Sequence, residues 1–392
     1  MMWTGDFPGC PARRTRYHAD MTSSRFRDAV LPFVFTCCLG FAQAPPSGRP
    51  LASVKSAPFH EPFEGRARLL SSPDLVSQKM WARQESRPPG IRTRFTAGEQ
   101  VRKDKAALQE LVDTTAATAL ERFADRQLQS NQLAVTLIDL REVPRPAWAS
   151  YHGDAEIYPA SVIKLFYLVA AHRWLEEGKL QDTPELRRAL RDMIVDSSND
   201  ATHYVVDLLT GTTSGPELPD EELEAWFEKR NAVNRYFRSL GYTSINANKK
   251  PWCEGPYGRE RQSIQRHQPN RNLLTTDATA RLLLEIVTGQ AVTASRSAEM
   301  LQWMERDPRK PMPADCEPDQ AKDFTGAGLP PGAKLWSKAG WTSTVRHDAA
   351  YVELPGGARF ILVTFTVGHS HEREILATVV RRIVEGMGGG SR

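Results

Sequence analysis

Cysteine is scarce in this chain, five among 392 residues, and three of the five lie before residue 42. The other two, Cys253 and Cys316, could pair in an oxidising compartment or sit as two separate buried thiols, and their separation favours neither. The nine histidines and these cysteines form no cluster with ligand spacing, so no metal or other cofactor is expected. Basic residues are not interleaved with aromatics, and the formal charge of +4 is nearly balanced, so no nucleic-acid partner is expected either. A long apolar run is also missing. The best candidate, Ala29 to Phe41, is short and broken by cysteine and proline, which argues against a membrane-spanning helix. No internal repeat is visible. What is there, 40% apolar and 25% charged residues, suits a soluble folded chain of one large domain or two intimate ones.

The same apolar run reads as an export signal within residues 1–44. Counted from Met21, Arg25 and Arg27 precede it and small residues end it. Cleavage is expected after Ala42, because Pro45 would hinder cleavage after Ala44. Residues 1–20 then precede the true start. Lipid attachment at Cys37 or Cys38 fits poorly, since Val34-Phe35-Thr36 is a weak leader for it. The mature protein is expected in the periplasm or secreted, as a monomer. Residues 45–99, rich in Pro, Arg and Ser, read as a flexible linker. Residues 100–387 read as the folded domain and 388–392 as a Gly-rich tail.

An Ala-, Leu- and Glu-rich stretch predicts a helix from Glu99 to about Gln127. Gln132 to Leu140 reads as a strand, with Trp148 to His152 as its partner. Further helices are expected from Ser161 to Glu177, stopped by Gly178, and from near Pro184 to the Ser197 turn. Two more cover Asp277 to Val287 and His371 to Gly386. Ala349 to Leu354 and Arg359 to Val367 alternate around Pro355-Gly356-Gly357 as a hairpin. Strands near both ends with helices between them make the fold class α+β.

Within this frame, Ser161-Val162-Ile163-Lys164 opens an apolar helical run. Residues three apart share a helix face with Cβ atoms roughly 5–6 Å apart, so the Lys164 amine can reach the Ser161 oxygen. A desolvated lysine can act as a base, and helix N-terminal amides favour a developing alkoxide. The tetrapeptide alone is a weak signal. Two further pieces give it weight: Ser197-Ser198-Asn199, and Lys338-Ala339-Gly340-Trp341 at the head of a strand pair. In this order, Ser-x-x-Lys, Ser-x-Asn and Lys-x-Gly resemble the penicillin-recognising serine hydrolases. The flanks Met193 to Thr202, Asn272 to Ala278 and Arg346 to Ala350 are most similar to class A β-lactamases. The resemblance covers roughly residues 100–387.

That resemblance implies a β-lactamase/transpeptidase-like architecture. An antiparallel sheet built from both termini would be flanked by helices, with an inserted helical subdomain and the active site in the groove between. Ser161 would be the nucleophile that forms an acyl-enzyme, and Lys164 would take its proton. Ser197 would relay a proton to the leaving nitrogen, with Lys338 beside it. Asn199 would hold a substrate carbonyl, and the Ser161 and Trp341 N–H groups would form an oxyanion hole. Gly340 would let the strand approach the substrate, and Lys338 and Arg346 would bind its carboxylate. Helix capping by Ser197 and Asn199, and a surface ion pair for Arg346, are the plainer alternatives. His203 and Asp348 read as structural.

The chain departs from the class A pattern in several places. Ser161 to Ser197 is shorter, so one wall of the groove is expected to be missing, while Asn199 to Thr275 is longer. Ala339 stands where a hydroxyl residue is usual. No Glu-x-x-Leu-Asn motif supplies the glutamate that activates the deacylating water. Glu254 and Glu260 are the substitutes, Glu260 fitting the distance to Thr275 better, with a solvated ion pair to Arg259 or Arg261 as its plainer reading. The expected substrate is a small-molecule β-lactam. The alternatives are a peptidoglycan peptide, or another amide or ester, and a penicillin-binding module that is acylated without turnover. A complete Ser161, Lys164, Ser197 and Lys338 set argues against a pseudoenzyme.

Overall fold

In the computed structural model the described residues are 97–388 without 144, 253–254, 268–269 and 311–317, and side chains are described from residue 104. The export signal, residues 45–96 of the linker, residues 389–392, Cys253, Cys316 and Glu254 lie outside them.

The strand alternation near residue 132 produces β1 (Leu133–Asp139), which turns back into β2 (Ala147–Tyr151). Far along the chain come β3 (Glu305–Arg306), β4 (Lys334–Trp341), β5 (Val345–Glu353) and β6 (Arg359–Val367). Among the described residues they form one six-stranded antiparallel sheet ordered β2-β1-β6-β5-β4-β3. The two ends of the domain meet where β1 pairs β6, with Val135 opposite Thr364.

Successive side chains of a strand point to opposite faces, and here both faces are apolar. Leu133, Val135 and Leu137 join Ala350 and Leu362 on one face. That face is covered by α1 (Ala97–Arg122) and α10 (Arg373–Gly388), through Val112, Ala116, Val379 and Ile383. Ala134 and Ile138 join Ala349, Val363 and Phe365 on the other. The helices between the strands lie on this side: α2 (Lys164–Glu176), α3 (Pro184–Val195), α4 (Asn199–Thr210), α6 (Ala232–Ser239), α8 (Thr276–Val287) and α9 (Ala294–Met304) share its core, while α5 (Asp220–Arg230) packs on α6 and on α7 (Gly258–Arg266). Helix α2 is buried from Lys164 through His172, as its unbroken apolar run requires of a central helix. Thr183, Ser198 and Thr275 cap α3, α4 and α8 by accepting N–H bonds from Leu186, Ala201 and Ala278. The architecture is thus the α+β one expected, a sheet from both ends with helices inserted.

Three local expectations change. Helix α1 starts inside the expected linker and stops at Arg122, before a short 3-10 turn closed by Gln127 at φ 60°. Ser161 lies in a 3-10 turn, Ala160–Ile163, and α2 begins only at Lys164. Lys338 sits midway along β4 rather than at its head. The charged stretch after residue 216 folds into α5 and α6. Helix α5 buries Leu223, Trp226 and Arg230, at i, i+3 and i+7 on one face, with an arginine where an apolar residue would complete the pattern.

Candidate active site

Two residues in backbone conformations unusual for their type frame the site. Ala160 has φ 46° and Ser197 φ 55°, in the left-handed region that costs a non-glycine residue about 1–2 kcal/mol. The first turns the chain into Ser161. The second lies between α3 and α4 and brings the Ser197 hydroxyl between two buried amines. Lys164 Nζ is 3.2 Å from Ser197 Oγ and donates to the Ser197 carbonyl at 2.6 Å and to Asn199 Oδ1 at 2.8 Å. Lys338 Nζ is 3.0 Å from the same Oγ and donates to Gln320 Oε1 at 2.7 Å and to the Ala339 carbonyl at 2.8 Å. Burial, then the nearby Lys164 and Arg306 charges, holds the Lys338 amine well below the usual lysine range, against the pull of Asp348.

Strand β4 carries Lys338 and Gly340 on its helix-facing side. A Cβ on Gly340 would lie 2.6 Å from the Pro159 carbonyl and about as close to the Val162 and Ser161 nitrogens, at 2.9 and 3.0 Å. Only glycine lets the strand rest on this turn. The Trp341 N–H is aimed by strand register. Thr342 N–H donates to the Val345 carbonyl at 3.0 Å, and hydrogen-bonded pairs alternate along an antiparallel ladder. Trp341, opposite Arg346, therefore points its N–H away from β5, over the edge that β3 leaves uncovered beyond Trp336. The Trp341 ring packs on Phe324 on the opposite face, at 5.6 Å.

Two sequence-based expectations need correction. Arg346 is 5% exposed, so it forms no surface ion pair, and it lies on the side of β5 opposite to the one that faces Lys338. Its guanidinium donates to the Ser370 and Asp323 carbonyls at 2.7 and 3.0 Å and lies over the Phe324 ring. It shares the Trp341 side of the sheet, facing α10, and ties β5 to the chain there. Glu260 is 1% exposed on α7, not in a solvated loop. Its Oε1 accepts from Arg230 at 2.7 Å and Ser214 at 2.9 Å, with Lys250 at 3.8 Å. The same cluster holds Asp207, paired with Lys250 at 2.7 Å. Asp207 is two turns along α4 from Asn199, about 12 Å at the helical rise. Glu260 Oε1 is thus taken up by a buried cluster of Arg230, Ser214 and Lys250.

Gln320, Arg306 and His347 were missed. Gln320 donates to the Val195 carbonyl at 2.9 Å while accepting from Lys338, and Arg306 donates to the Ile194 carbonyl at 2.8 Å. Together they fix the end of α3, and so Ser197, against β4. Both contacts are long-range, and no local pattern announces them. His347 accepts the Thr366 N–H at Nδ1, 3.1 Å, which assigns its proton to Nε2, 3.0 Å from the Tyr158 carbonyl. It steadies the chain just ahead of Ser161, and burial lowers its pKa to about 4. Asp348 is structural as expected, accepting from the Thr325 N–H.

A family profile described as the beta-lactamase enzyme family matches residues 181–386, more than half of the chain. The chain belongs to this family. The matched part of this β-lactamase-family chain holds Ser197, Asn199, Lys338 and Gly340, and Ser161 and Lys164 precede it. No curated protein matches the sequence. Among solved structures, a β-lactamase from Sphaerobacter thermophilus is similar at 17% identity and a TM-score of 0.52, covering 70% of this chain and 97% of its own. PBP-A is similar at 20% identity and a TM-score of 0.51, covering 72% and 97%. A β-lactamase from Xanthomonas campestris pv. campestris gives 16% identity and 0.52, covering 72% and 98%. These likenesses show the β-lactamase/transpeptidase-like fold.

Proposed function

We propose that this β-lactamase-family protein is an exported serine hydrolase that opens the amide bond of a β-lactam through an acyl-enzyme on Ser161. The observation that carries the reading is the single hydroxyl, Ser197 Oγ, held between the Lys164 and Lys338 amines. In the reacting form the Lys164 amine is uncharged and takes the Ser161 proton as Oγ attacks the carbonyl carbon. The oxyanion is received by the Ser161 and Trp341 N–H groups, each worth about 3–4 kcal/mol of barrier. When the C–N bond breaks, the nitrogen takes the Ser197 proton, and an amine beside Ser197 replaces it. Asn199 positions the Lys164 amine through its amide oxygen.

Release of the acyl group needs a base for water. Glu260 is engaged by Arg230 and Ser214, so the other glutamate read from the sequence, Glu254, becomes the residue to test. The same observation favours a second reading, a penicillin-binding protein with a long-lived acyl-enzyme. A mutant of PBP-A has been seen as an acyl-enzyme complex with penicillin G. Product formation from benzylpenicillin, compared between wild type, Ser161→Ala and Glu254→Gln, separates these. Multiple turnovers lost in both variants support the hydrolase, and one equivalent of benzylpenicillin consumed by wild type with no product released supports the binding protein.

A further inference from the structure

Every position around the Lys338 amine is filled. Its Nζ donates to Gln320 Oε1 at 2.7 Å and to the Ala339 carbonyl at 2.8 Å, and it lies 3.0 Å from Ser197 Oγ. An ammonium has three N–H groups, and these three partners use them. An uncharged amine has two N–H groups and a lone pair, and the same partners use those, with the Ser197 hydroxyl donating to the lone pair. Burial favours the uncharged form. In either form no N–H is left for a substrate.

Gln320 completes this shell. It is buried, and its Nε2 donates to the Val195 carbonyl at 2.9 Å, which turns its oxygen towards Lys338. Neighbouring guanidinium groups are engaged elsewhere. Arg306 donates to the Ile194 carbonyl, Arg346 to the Ser370 and Asp323 carbonyls, and Arg373 to Asp323 Oδ1. Ala339 packs with Phe324 and Leu376 and brings no hydroxyl. The leaving nitrogen takes its proton from Ser197, so an acid group one carbon beyond that nitrogen falls beside Lys338. A carboxylate there leaves water and finds the donors of Lys338 already taken, which slows its reaction. An ester group at the same place loses no such partner.

We infer that Gln320, by occupying the Lys338 amine, makes the leaving-group side of the site select uncharged substrates: lactams, or other amides, with no carboxylate beside the scissile nitrogen. This rests on the acyl-transfer reading above, because proton transfer from Ser197 is what brings that side of the substrate to Lys338. Gln320 is a specificity residue in this account. It touches the amine and the end of α3, and it acts on the substrate through the amine it holds.

The test compares benzylpenicillin with its methyl ester, which removes the charge and keeps the scissile bond. Each is mixed at low concentration with the full chain, and its rate of ring opening is divided by the rate at which hydroxide opens the same compound. Wild type is expected to open the ester about tenfold faster on this scale. Gln320→Ala frees an N–H of Lys338 and should bring that ratio close to one, whereas a merely structural loss would slow both compounds equally. A ratio of one or below in wild type, or a ratio unchanged in folded Gln320→Ala, overturns the inference and leaves the acyl-transfer reading standing. No ring opening of either compound by wild type overturns both together.

Discussion

Lys338 Nζ lies 3.0 Å from Ser197 Oγ, with the lysine fully buried beside Lys164 and Arg306. An amine kept there serves the reaction rather than the fold, because burial and its neighbours of like charge disfavour its charged form. Lys338→Met is therefore expected to slow acylation about 10²–10⁴-fold, the range for a lost proton-transfer group, while leaving the melting temperature unchanged or raised. Acylation rates and thermal unfolding of one preparation check both halves. A loss of activity matched by a loss of stability would make Lys338 structural.

His347 and His172 are both buried, and burial lowers their pKa values to about 4 and about 3. The unfolded chain takes up these protons near pH 6.5, before the folded one does. Stability is thus full above pH 6.5 and falls as pH drops towards 4, by about 1.4 kcal/mol per unit for each histidine. Activity should fall with it, because a proton on His347 Nδ1 would face the Thr366 N–H and release the turn ahead of Ser161. Urea unfolding across pH 4–7 reads this directly, and a flat profile would contradict it.

Gly340→Ala places a methyl group 2.6 Å from the Pro159 carbonyl, against backbone that cannot rotate away. Overpacking of this kind costs about 1–3 kcal/mol. Because the pressure falls on the Ser161 turn, acylation should drop further than stability does. Intact acylation with normal unfolding would show that β4 does not rest on this turn.

The ion cluster gives the opposite split. Arg230→Ala leaves Glu260 buried without its closest cation and should cost about 3–5 kcal/mol. Glu260→Gln keeps the shape, and the account expects it to leave the acyl-enzyme lifetime unchanged in protein that remains folded. A lifetime that lengthens tenfold or more would restore Glu260 as the deacylating base.

Much of this was legible in the sequence, for reasons the residues make plain. Strand β1, the β5–β6 hairpin and α8 carry strong local periods and caps, and their bounds fall within a few residues of expectation. Ser161, Lys164, Ser197 and Lys338 sit in motifs whose order was readable, although what joins them is tertiary. Arg346 was misread because strand parity depends on register. It pairs with Trp341, an odd number of residues from Lys338, and so faces the other side of the sheet. Glu260 was misread because spacing to Thr275 says nothing of the arginine on α5 that claims it. Gln320 and Arg306 leave no local trace at all.

The most direct test of the central claim is the intact mass of the protein after brief mixing with benzylpenicillin, followed by peptide mapping. The account predicts a gain of one penicilloyl group on Ser161, formed much more slowly in Lys338→Met and absent in Ser161→Ala. An unmodified protein that also leaves the penicillin intact, or an adduct on any other residue, would contradict it.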